Sequence, residues 1–90
     1  MSTLFSLGRV IATPGALKLL EEAGENPLHL VARHRSGDWG ELDEHDRLEN
    51  ELSLRHGRRL LSSYPVGGGK VWSITEADRS YTTILLPQEY

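Results

Sequence analysis

No cysteine occurs in the 90 residues, which excludes a disulfide scaffold, a thiolate nucleophile and any cysteine-ligated zinc or iron–sulfur centre. Packing alone must hold the fold. The chain also lacks an apolar run of about 18 residues, and its first nine residues have neither a basic stretch nor a signal-like apolar core. The expectation is a cytoplasmic protein with no membrane contact. An excess of positive charge is missing too. The formal net charge is -3, so the whole-molecule field weakly repels nucleic acid, and any such role needs a local basic patch. Finally, no H-x-x-x-H or H-E-x-x-H pair is present. His45 and His56 stand eleven residues apart, about three helical turns, too far for one coordination sphere. No metal and no cofactor is expected.

What is there suits a single globular domain over 1–90, with 38% hydrophobic and 26% charged residues. Residues 4–12 alternate apolar and polar or small side chains and read as a strand. Thr13-Pro14 and Asn26-Pro27 each place a capping oxygen before a proline at the first helical position. They predict helices over 14–23, ended by Gly24, and 27–35, ended by Ser36-Gly37. A third helix is predicted over 42–56, with Asp38 or Glu41 helping to cap it and Gly57 closing it. Its apolar face, Leu48 and Leu52 flanked by Leu42 and His45, is narrow, which places it on the domain surface. The segments 60–66, 70–76 and 81–86 are short, alternating and rich in Val, Ile, Thr, Tyr and Trp, separated by Gly67-Gly68-Gly69 and Ala77-Asp78-Arg79-Ser80. The expected fold is α+β in the order β-α-α-α-β-β-β, helices packed on one face of a small antiparallel sheet.

Several segments invite a chemical reading. Gly67-Gly68-Gly69-Lys70 lacks the second glycine spacing and the Ser/Thr of a phosphate loop, and a strand rather than a helix follows it; it fits a hairpin turn. Trp39 sits between Gly37-Asp38 and Gly40, either as an exposed recognition platform or as a plug between helices and sheet. Strand alternation gathers Ser62 and Tyr64, Ser73 and Thr75, and Tyr81 and Thr83 on one sheet face, with Thr82 opposite and Arg79 at the rim. That face is either solvated or a concave site able to hydrogen-bond an anion. No G-x-S-x-G elbow supports a serine nucleophile.

Two stretches, Gly37-Asp38-Trp39-Gly40-Glu41-Leu42 and the run from Ile74-Thr75-Glu76-Ala77-Asp78 through Pro87, resemble a family of short bacterial proteins, uncharacterised in activity and often carried on plasmids and other mobile elements. The topology also resembles RelE-like and barnase-like ribonuclease folds. The first resemblance carries over no activity; the leading expectation is a non-enzymatic accessory or binding protein of a mobile element, with a protein partner contacted through Arg33, Arg35, Asp38 and Trp39. The second implies metal-independent RNA cleavage, with His34 as acid or base, Arg79 stabilising phosphorane charge, and Thr75 and Tyr81 positioning the phosphate.

Overall fold

The computed structural model describes residues 3–90. Its elements are β1 (Arg9–Ala12), α1 (Pro14–Ala23), α2 (Pro27–Arg35), α3 (Glu44–His56), β2 (Leu60–Val66), β3 (Gly69–Thr75) and β4 (Tyr81–Leu85), followed by a 3₁₀ turn at Pro87–Glu89. The fold is α+β, in the expected order.

The caps explain the helix boundaries. Thr13 accepts a hydrogen bond from the Ala16 amide and Asn26 one from the Leu28 amide, each ahead of a proline. α3 is capped by Asp43, whose carboxylate accepts from the Asp46 amide at 2.8 Å. It therefore starts at Glu44, two residues later than expected, and neither Asp38 nor Glu41 caps it. Gly24 and Gly57 adopt left-handed conformations and close α1 and α3.

The sheet order is β1-β4-β3-β2. β2 pairs antiparallel with β3 and β3 with β4, but β1 lies parallel to β4, so the sheet is mixed rather than purely antiparallel. Parallel pairing needs a long connection between the paired strands, and here the three helices and then β2 and β3 lie between β1 and β4. β1 is also shorter than its pattern suggests. At Gly8 the backbone has a φ of 63°, and a Cβ there would lie 2.3 Å from the Ser80 carbonyl oxygen. The chain turns at that close approach, and Leu4–Leu7 cross the domain as coil.

α1 and α2 cover one sheet face. Ala16, Leu20, Leu30 and Val31 bury against Tyr64, Val66, Val71 and Ile84. A second cluster joins Phe5, Trp39 and Leu60, flanked by Leu7, Leu42 and Leu54. α3 runs beside β2 and turns Leu54 towards the second cluster. The Asn50 side chain donates to the Leu61 carbonyl at 2.6 Å and accepts from the Leu61 amide at 3.1 Å. The Glu41 amide donates to the Ser63 carbonyl, and the Ser63 amide donates to the Trp39 carbonyl. This edge of the sheet is thereby closed to further strands.

Candidate functional site

The chemistry-bearing side chains converge on His34, near the end of α2. It is fully buried. Its Nδ1 meets the Ser62 hydroxyl, and its Nε2 lies 2.9 Å from Thr75 Oγ1. Thr75 Oγ1 is 2.6 Å from Thr82 Oγ1, and Thr82 donates to the Leu7 carbonyl at 2.8 Å. A carbonyl can only accept, which fixes the direction of the whole chain. Thr82 donates to Leu7, so Thr75 donates to Thr82, and His34 Nε2–H donates to Thr75. Nδ1 is left to accept from Ser62. The ring is a neutral imidazole with both nitrogens committed.

Apolar and cationic neighbours hold it in that state. Phe5 packs edge-on to the imidazole at 5.1 Å and Trp39 at 5.8 Å, while Phe5 and Trp39 stack on each other. Burial, and secondarily the Arg79 charge, push the His34 pKa down to about 4. Beside this chain, Ser73 Oγ is buried with no hydrogen-bond partner among the described residues.

Arg79, in the β3–β4 turn, has a left-handed φ of 62°. Its guanidinium donates to the Arg58, Glu76, Ala77 and Ser53 carbonyls at 2.6–3.1 Å and lies 5.7 Å from the Phe5 ring. Two of those carbonyls belong to the last turn of α3 and the loop after it, where a cation offsets the helix dipole. Replacing Arg79 by methionine keeps the stem and removes these bonds. Urea unfolding should then show a loss of about 1–2 kcal/mol.

Thr75 and His34 are thus together and Arg79 is near them, but Tyr81 is not. Thr75 pairs with Thr82 and Ser73 with Ile84, so odd residues of β3 share a face with even residues of β4. Thr82 joins the hydroxyl-bearing face, and Tyr81 and Thr83 lie on the other. The expected grouping matched odd with odd across a turn whose length it could not fix. The hydroxyl face is neither solvated nor a concave site, because α1 and α2 cover it.

The Arg33–Gly40 segment is built differently from a free recognition surface. Trp39 is buried, 5% exposed, and fills the gap between helices and sheet. Gly40 permits this: its φ is 73°, and a Cβ there would come within 2.0 Å of the Ser63 carbonyl oxygen. Arg33 donates to Asp38 at 2.7 Å and lies 4.5 Å above the Tyr64 ring, and Tyr64 donates its hydroxyl to the Asp38 carbonyl. The Arg33 hydrogen bond holds the Asp38 carboxyl below its usual range. Burial pushes the Tyr64 phenol up to about 12. Arg35 alone of the four is exposed with no side-chain partner among the described residues, beside an open groove of about 650 Å³ under Leu4–Gly8.

Sequence reasoning placed Ser62 on the hydroxyl-bearing face, set Thr82 on the wrong one, and missed Phe5 and Asn50. The spacing of Leu48 and Leu52 did carry a signal. α3 turns Asn50 and Ser53 inward and leaves Leu48 55% and Leu52 41% exposed. At Leu48 and Leu52 this reverses the ordinary amphipathic pattern, while Leu54 packs inward on the second cluster. Among the described residues no group of three His, Cys, Asp or Glu side chains could hold a metal, and no helix is long and apolar enough to cross a membrane. Comparison with protein-family models, with curated proteins and with solved structures finds no match.

Proposed function

We propose that this chain is a non-enzymatic binding domain for a protein partner, with the outward face of α3 as its contact surface. The observation that carries the reading is the inversion of α3. Two leucines one turn apart face solvent, while the helix is anchored through Asn50 to the Leu61 backbone. Leucines so exposed add less to the domain's own stability than buried ones would; a partner that covers them gains apolar burial. Placement in the bacterial cytoplasm, as an accessory protein of a mobile element, belongs to the same proposal and rests on the resemblance given above.

The rival reading, metal-independent RNA cleavage, has one point in its favour: His34, Thr75 and Arg79 lie near one another, around or beside Phe5. Against it stand the full burial of His34, the commitment of both ring nitrogens, and the four carbonyls that occupy Arg79. A general base must reach the proton it removes.

Two assays test the choice. Purified protein should leave labelled total RNA intact in EDTA. Cleavage that persists in EDTA and disappears in folded His34→Gln and Arg79→Met variants would replace this reading with the ribonuclease one. A photo-crosslinking residue at position 48 should give a discrete protein adduct in cells, and one at the exposed position 22 none. Absence of any adduct from position 48 sinks the proposal.

A further inference from the structure

The exposed flanks of α3 carry charge in a pattern that selects what covers them. At about 100° per residue, Leu48 and Leu52 centre the outward face, and Glu44 and Arg55 lie on one flank of it, within about 60° of that centre. Both are exposed, and among the described residues neither has an ion-pair partner. Acid opens the helix, with Glu44 and Asp46 in the first turn, and base closes it, with Arg55 and His56 in the last.

We infer that the partner is a second copy of this chain, the two α3 helices pairing antiparallel with Leu48 of each against the partner's Leu52. A twofold axis between those leucines relates positions whose numbers sum to about 100. It therefore sets Glu44 against the partner's Arg55, and Arg55 against the partner's Glu44. Parallel pairing would instead turn the Glu44 and Arg55 flank towards the partner's opposite flank, where His45 and His56 lie exposed, so only the antiparallel arrangement brings these two opposite charges together. Antiparallel alignment also opposes the two helix dipoles. The leucine area is small beside the ~800 Å² per partner of a standard interface, so the dimer is weak, with Kd on the order of 10–100 µM. The inference rests on the reading of α3 as the contact face.

Sedimentation equilibrium of the full chain from about 10 µM to about 1 mM should show a monomer–dimer equilibrium in that range. Leu52→Glu should weaken it at least tenfold with helix content and urea midpoint unchanged, since the side chain is exposed. Glu44→Lys makes that flank wholly basic, and Arg55→Glu makes it wholly acidic. Each variant alone should dimerise several-fold more weakly than wild type, and an equimolar mixture of the two should recover wild-type affinity or better, because each supplies what the other lacks. A wild type that stays monomeric throughout, or a mixture no tighter than its components, overturns the inference. If that monomer still gives an adduct with another protein from position 48 in cells, self-pairing fails and the contact-face reading stands. If there is no adduct at all, both fail.

Discussion

Trp39→Ala should lower the unfolding free energy by about 3–5 kcal/mol, the range for removing a buried indole. Trp39 fills the second hydrophobic cluster with Phe5 and Leu60, stacks on Phe5, meets His34 edge-on and lends its carbonyl to the Ser63 amide. A domain of this size has roughly 5–13 kcal/mol of stability in all, so the variant sits near the edge of folding. The measurement is the urea midpoint, with the slope unchanged if two-state unfolding persists. Trp39→Phe, which keeps an aromatic plug, should lose much less. A variant as stable as wild type would mean that the indole is a surface anchor after all.

The second large effect is on pH dependence. The His34 pKa falls from its ordinary value of about 6.5 to about 4 in the fold, because the imidazolium would be buried with the Arg79 charge nearby. The folded state therefore binds the proton less readily than the unfolded chain. Stability is full above about pH 6.5 and declines as the pH falls towards 4, the loss reaching about 3 kcal/mol. Asp38, Asp78 and Glu89, whose carboxyls are held low by hydrogen bonds from Arg33, Ser80 and Thr13 respectively, add acid lability of their own at lower pH. His34→Gln isolates the histidine. Whatever that variant costs at pH 7, its unfolding free energy should fall by about 3 kcal/mol less than that of wild type between pH 7 and pH 4. Equal slopes in the two proteins would contradict the buried neutral ring.

The helices and the β2–β3–β4 meander are legible in the sequence because their determinants are local. A Thr-Pro or Asn-Pro start, a glycine stop and period-two alternation act within a few residues. The parallel seat of β1 is not legible, since which strand accepts Arg9–Ala12 depends on where three helices and the β2–β3 hairpin deliver β4. The hydroxyl face could be half read. Ser62 and Ser73 fall together from alternation alone, but whether Thr82 or Tyr81 joins them depends on the register across the Arg79 turn. Residues 74–76 and 81–83 look the same under either register. His34 and Arg79 stand out in the sequence as groups with acid–base and anion-binding chemistry, but their surroundings do not. Burial and a set of backbone carbonyls, neither of which leaves a pattern in the sequence, give them structural work. In α3 the pattern itself was legible, and what it lacked was a reason why leucines should face water.

The central claim is that the residues with catalytic chemistry are sealed into a neutral, internally satisfied network. Long-range ¹H–¹⁵N correlation of the histidine rings tests it most directly. The His34 ring should show the neutral form protonated at Nε2, with Nδ1 accepting, and it should hold that form unchanged down to about pH 5, as a pKa of about 4 requires. A His34 ring that titrates near pH 6.5, or carries its proton on Nδ1, would contradict the account.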